Sequence, residues 1–227
     1  MMRPAARSLR DIGLLAAVLT LLAAGSPARA QTVVTRDDIV AQLNRFETPA
    51  ELDIPAMRQQ VLERSRSRAK NEPTPQKRPP IAPELNKLPT FNVSIQFDVD
   101  TPIVQPASYE TLGRIADALV QSNLLPYTFL IVGHIESTGR RENNVILSQR
   151  RADAIRDILV NSFKIGPKRL QTIGLGEEQL LDSVRINAPV NNQVQIMTVA
   201  KIPEQAEQPA AAAKKPPAGS KKPPKKR

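Results

Sequence analysis

An unbroken apolar run, Phe129-Leu130-Ile131-Val132, leads straight into a polar turn bracketed by Gly133 and Gly139 and then into a helical pattern beginning around Asn144. The run reads as a buried strand, and the glycines punctuate a strand-to-helix junction. The helix places Leu147, Ala154, Ile155, Ile158 and Leu159 in one arc of a wheel turning about 100° per residue. Gln149, Arg150, Asp153, Arg156 and Asp157 fall on the other side. Arg151 breaks the pattern, because it lies inside the apolar arc between Leu147 and Ile155. An arginine is seldom fully buried without a partner, and leaving one unpaired in a core costs several kcal/mol.

Arg151 stands near the start of its helix, where the preceding turn offers Glu136. A guanidinium and a carboxylate converging there can grip a ligand that carries both an ammonium and a carboxylate. A structural ion pair with no ligand satisfies the same residues, and the two readings stand side by side.

The wider pattern is Gly133-His134-x-Glu136-Ser137-x-Gly139, then Asn144-x-x-Leu147-Ser148-x-x-Arg151-Ala152. It resembles the signature of OmpA-like peptidoglycan-binding domains, roughly G-H-T-D-S-x-G followed by N-x-x-L-S-x-x-R-A. The spacing agrees at each step, including the fifteen residues from acid to arginine. The likeness runs from about Phe91 to Val199. It implies an α/β (α+β) sandwich of the βαβαβ type, with helices over a small mixed parallel and antiparallel sheet.

The resemblance also implies a ligand. In peptidoglycan built with diaminopimelate, the free end of that residue presents an ammonium beside a carboxylate. By position, Glu136 would take the ammonium and Arg151 the carboxylate, with Asn144 and Leu147 shaping the pocket. Backbone N–H groups at the helix start would add donors. The sequence departs from the family pattern in three places. Glu136 stands for aspartate, Ile135 for threonine, and Asn191-Asn192-Gln193-Val194 for Asn-Arg-Arg-Val. Two functional expectations follow. One is a non-catalytic periplasmic or outer-membrane-associated protein that tethers the envelope to peptidoglycan. The alternative is a scaffold or interaction protein of the same fold with weakened or lost peptidoglycan binding.

The rest of the chain sets the compartment. Arg3, Arg7 and Arg10 precede the apolar stretch Ile12 to Ala24, and Ala28-Arg29-Ala30 is a small-x-small cleavage site. Residues 1–30 therefore read as a signal peptide, cleaved before Gln31; an uncleaved anchor is the competing reading. The thirteen-residue stretch is shorter than the roughly twenty that span a bilayer. There is no cysteine, which excludes disulfides, thiol catalysis and thiolate metal sites.

The net charge of +10 is unevenly spread: residues 1–30 carry +3 and residues 208–227 carry +7, leaving 31–207 neutral. A folded domain that binds nucleic acid is basic on its surface, so no nucleic-acid partner is expected. The Lys-, Pro- and Ala-rich residues 202–227 read as a disordered tail. They could serve only as a solubilising tail, or lie on an anionic membrane surface or lipopolysaccharide.

Residues 31–70 read as helical. Thr35 opens one helix with Asp38 three positions on, and Thr48-Pro49-Ala50-Glu51 resembles a second capping box. A thin stripe of Met57, Val61 and Leu62 suggests a loosely packed or solvated segment. Residues 71–90, with six prolines, read as a semi-rigid linker, and residues 91–201 as one domain. Within it Val93, Ile95 and Phe97 alternate as a strand, and Pro106 opens a helix with Tyr109, Leu112, Ile115, Ala116 and Leu119 on its apolar face. Strands follow near Leu170–Ile173 and at Val194, Ile196 and Thr198.

Little points to catalysis. His134 is the only histidine, too few for a metal centre and without a poised partner for acid–base work. Asp98 and Asp100 read as strand-end turn residues. Gly174-Leu175-Gly176 lacks the third glycine and the lysine of a phosphate loop. No enzyme activity, metal or cofactor is expected.

Overall fold

A computed structural model describes residues 34–45, 52–67 and 73–202. The signal peptide, the Thr48–Glu51 capping box and the basic tail lie outside these residues. Among the described residues four α-helices, α1 (Arg36–Leu43), α2 (Ile54–Arg66), α3 (Tyr109–Leu119) and α4 (Arg141–Asn161), pack about four strands, β1 (Thr90–Val93), β2 (Tyr127–His134), β3 (Leu170–Gly176) and β4 (Val194–Lys201). The sheet order is β1-β4-β2-β3. β2 and β3 are parallel and joined through α4, while β4 runs antiparallel to β1 and β2. This is the expected mixed sheet, and its one parallel pair needs the long crossover that α4 supplies.

Both faces of the sheet are covered. In β2, Phe129 and Ile131 point into one apolar cluster with α1, α3 and α4, while Leu130 and Val132 point into a second with α2 and Ala82, Leu85 and Leu88. A strand buried on both faces reads as a continuous apolar run, which is why residues 129–132 show no alternation. β4 alternates in sequence yet is also buried on both sides: Gln195, Met197 and Val199 are buried along with Val194, Ile196 and Thr198.

Of the segment before the domain, the two described helices are packed against the sheet rather than solvated. α1 is opened by a reciprocal Thr35–Asp38 capping box and buries Ile39 and Leu43 completely. α2 buries Ile54, Met57 and Val61. These side chains are few, but they recur at helical spacing, and each fully buried aliphatic contributes about 1.5–3 kcal/mol. The proline-rich stretch likewise departs from a free linker. Pro83–Lys87 forms a 3₁₀ turn that packs Leu85 and Leu88 onto the sheet.

Two other expectations change. β1 ends at Val93, because its partner β4 begins opposite, at Val194. The chain then leaves the sheet as a hairpin in which Phe97 bridges Val104. Tyr109 is 44% exposed, unlike Leu112, Ile115, Ala116 and Leu119.

The helix α4 lies close over β3, the strand at the sheet edge. Its polar residues Gln149 and Arg156, which the wheel places away from the core, close that edge. Arg156 Nε donates to the Leu170 carbonyl at 3.0 Å, and Gly174 N–H donates to Gln149 Oε1 at 2.8 Å. Arg58 of α2 donates to the Thr172 carbonyl at 2.6 and 2.9 Å, and Gly176 N–H donates to Ser148 Oγ. An edge strand's free backbone groups invite pairing with another chain; here side chains occupy them. The approach requires glycine. A Cβ on Gly174 would stand 2.2 Å from the Gln149 nitrogen, and one on Gly133 would stand 2.3 Å from the Ser148 carbonyl oxygen. Gly174-Leu175-Gly176 thus serves helix packing.

Candidate functional site

α4 begins at Arg141, three residues before the expected start, with Arg140 as an N-cap whose side chain makes no capping bond. Asn144, Leu147 and Arg151 are spaced i, i+3 and i+7, so they share one face of the helix. They turn toward the end of β2, where the chain continues into Ile135 and Glu136. The result is a cavity of about 390 Å³ lined by all four residues singled out in the sequence, Glu136, Asn144, Leu147 and Arg151. The wall is completed by Ile95, Phe97, Val99, Asp100, Ile135, Thr138, Arg140 and Asn192.

Arg151 is half-buried. Its Nε donates to the Thr101 carbonyl at 3.0 Å, and its guanidinium carbon lies 4.7 Å from the centroid of the Phe97 ring. Burial pulls its pKa below the ordinary value, and the nearby Asp100 carboxylate opposes that pull. Among the described residues no hydrogen bond or ion pair reaches its two terminal nitrogens. Glu136 is held by its backbone: its N–H donates to Asn192 Oδ1 at 3.2 Å, and its carbonyl lies 3.4 Å from Asn144 Nδ2. Its carboxylate has no partner among the described residues. Glu136 and Arg151 therefore do not form the structural ion pair that the sequence also allowed.

Asn144 is buried and its amide is committed. Nδ2 donates to Glu177 Oε2 at 2.7 Å, and Oδ1 accepts from Thr138 Oγ1 at 3.1 Å. Its place is to hold the 136–138 turn. Leu147, half-buried, supplies apolar wall. Ile135 is 5% exposed, and its N–H donates to the Gly176 carbonyl, so the residue standing for threonine adds wall and no hydroxyl. Asn192, in the place of a family arginine, ties down the Glu136 backbone.

Several site residues were not visible as such in the sequence. Asp98 and Asp100 do form a turn, with Thr101 N–H donating to the Asp98 carbonyl. The turn places Asp100, at φ 54°, on the cavity wall, and Thr101 under Arg151. A residue other than glycine in the left-handed region is uncommon. Arg140 and Asp100 make a loose, exposed ion pair of 3.7 Å at the cavity, worth little in water. Glu177, the buried partner of Asn144, could have been suspected from Glu177-Glu178 standing directly after an apolar strand.

His134 is fully enclosed, with Nδ1 3.0 Å from the Gln179 carbonyl and Nε2 2.9 Å from Gln195 Oε1. Burial pushes its pKa below 6.5. It does not line the cavity. Among the described residues no group of three or more His, Cys, Asp or Glu could hold a metal ion.

Residues 96–193 match the model of the OmpA family. Outer membrane porin F of Pseudomonas aeruginosa is 34% identical over 98 residues, covering 43% of this chain and 27% of the porin. The peptidoglycan-associated lipoprotein of Mesorhizobium japonicum is 38% identical over 92 residues, covering 40% of this chain and 53% of the lipoprotein. The chain thus spans between about a quarter and half the length of these relatives. Among solved structures, the peptidoglycan-associated lipoprotein of Burkholderia pseudomallei aligns at 25% identity with a TM-score of 0.39, over 46% of this chain and 87% of that one.

Proposed function

We propose that residues 96–193, an OmpA-family domain, bind peptidoglycan non-catalytically in the cell envelope by gripping the zwitterionic end of diaminopimelate. The observation that carries this reading is a pair of opposite charges lining one cavity with their polar ends uncommitted. The terminal nitrogens of Arg151 offer a planar fork that matches a carboxylate bidentately, and the Glu136 carboxylate offers acceptors for an ammonium. Phe97 and the Thr101 carbonyl hold the Arg151 side chain in place, so little side-chain freedom is lost on binding. Leu147, Ile135 and Val99 supply apolar surface for the methylene chain between the charged end and the glycan.

The curated relatives support the envelope setting by their names, an outer-membrane porin and a peptidoglycan-associated lipoprotein. The site would work from the periplasm or the inner surface of the outer membrane. The basic residues 208–227 would rest on phospholipid or lipopolysaccharide phosphates, each near-surface lysine adding about 1 kcal/mol. Deleting them should release the protein from washed envelopes, and unchanged retention removes that part of the proposal.

The test of the main reading is co-sedimentation of residues 31–227 with purified diaminopimelate-type peptidoglycan, with Arg151→Ala alongside. Wild-type sedimentation lost in the variant upholds the grip. Equal sedimentation of both shows non-specific adhesion. Sedimentation of neither favours the scaffold reading, in which Glu136, Ile135 and Asn192 have removed the ligand but kept the fold.

A further inference from the structure

We propose that Glu177 is the positioning residue of this site, and that the chain preceding the family domain, through Arg64 and Arg78, holds it there. The inference rests on the ligand reading above, and it adds residues 52–67 and 73–88 to the structure that supports binding.

Glu177 follows β3 directly, and its side chain is 1% exposed. Its Oε2 accepts from Asn144 Nδ2 at 2.7 Å and from the Thr138 backbone N–H at 3.3 Å. Asn144 in turn accepts from the Thr138 hydroxyl and approaches the Glu136 carbonyl. One carboxylate oxygen thus fixes both the first turn of α4 and the turn that carries Glu136. The other oxygen lies 3.6 Å from Arg78 Nη1.

A carboxylate taken out of water must be neutralised to stay charged and in place. Glu177 shares Arg78 with Glu178, whose side chain is fully buried. Glu178 receives Arg141 through both oxygens, at 2.8 and 2.9 Å. Arg64 Nε and Arg78 Nη1 lie within ion-pair distance of it, at 3.0 Å and 3.7 Å. Two of these three arginines lie outside residues 96–193: Arg64 on α2 and Arg78 in the proline-rich stretch. Without them Glu178 would keep Arg141, and Glu177 would lose its Arg78 contact. Glu177 would then turn toward water and release Asn144 and Thr138. The cavity would keep Glu136 and Arg151 but lose the distance between them on which a two-charge grip depends.

The experiment uses residues 31–227 with Arg64→Gln and Arg78→Gln together, and separately Glu177→Gln, which keeps the side chain's size. Three quantities are read: peptidoglycan co-sedimentation, amide hydrogen exchange at Thr138, and the thermal unfolding midpoint. The expected result is a loss of about tenfold in affinity with faster Thr138 exchange in both variants. Arg64→Lys with Arg78→Lys should restore both. A merely structural role would lower the midpoint and leave Thr138 exchange and affinity as in wild type, and that result overturns the proposal. If the double variant does not fold, Glu177→Gln decides by the same readings. If wild type itself fails to sediment, the ligand reading falls, while Thr138 exchange still tests the positioning.

Discussion

Two clusters of arginine and carboxylate flank the first turns of α4, and they are built to opposite plans. Behind the helix start, Glu177 and Glu178 are enclosed with Arg64, Arg78 and Arg141, and Glu178 is met on both oxygens. On the cavity side, Arg151 spends only Nε on the protein, and the Glu136 carboxylate spends nothing. The residue types are the same; what differs is whether the charges are paired with one another or line a cavity. Removing one partner from a closed cluster destabilises the fold because it strands a buried charge. An open one contributes little to stability and keeps its capacity for a ligand. Residue type alone does not separate a brace from a binding site.

The largest effect should come from the closed cluster. Glu178→Ala would leave its arginines without their shared partner and cost about 3–5 kcal/mol, read as the unfolding free energy from urea titration. A loss below about 1 kcal/mol would mean that water already satisfies those arginines, and the contrast between the clusters would collapse. Next comes Arg151→Ala, which should remove about 1.5–3 kcal/mol of peptidoglycan affinity. Its stability should fall less, by about 1–2 kcal/mol, from the lost Phe97 and Thr101 contacts. Arg151→Lys should recover only part of the binding, because an ammonium lacks the planar fork.

A third effect belongs to neither cluster and gives a control on both. His134 is buried with a lowered pKa, so the unfolded chain binds its proton at a higher pH than the folded one. Stability is then unaffected well above 6.5 and falls as pH drops through that value, by at most about 1.4 kcal/mol per pH unit. A His134→Gln variant should show a flatter midpoint between pH 8 and pH 5.5 than wild type; parallel curves would show that the imidazole does not carry the loss. The smallest expected effect is the sharpest test of the open cluster. Glu136→Ala should change unfolding free energy by less than about 0.5 kcal/mol while abolishing co-sedimentation. A larger destabilisation would place Glu136 among the braces.

Much of the candidate cavity was legible because its parts are close in sequence. Glu136, Asn144, Leu147 and Arg151 lie within one strand–turn–helix unit, where spacing alone puts three of them on a common face. Phe97, Asp100 and Thr101 were not legible as site residues. They reach Arg151 from a hairpin some fifty positions away, and no local pattern marks which turn will face which helix. Gln149 and Arg156 show the complementary failure. On a wheel they are simply polar, but the helix sits so near the edge of β3 that they bond its free backbone groups.

By itself the sequence determined the elements and their order, the burial implied by Phe129–Val132, the i, i+3, i+7 face of α4, and the anomaly of an arginine in an apolar arc. Those are local facts, set by periodicity and by the cost of burying charge. Only the tertiary structure decided that α1, α2 and the proline-rich stretch pack onto the sheet, since their few apolar residues find a surface only once it is assembled. It also decided which charges are closed and which stay open. That depends on distances of a few ångströms between groups far apart in the chain, and no pattern along the chain records them.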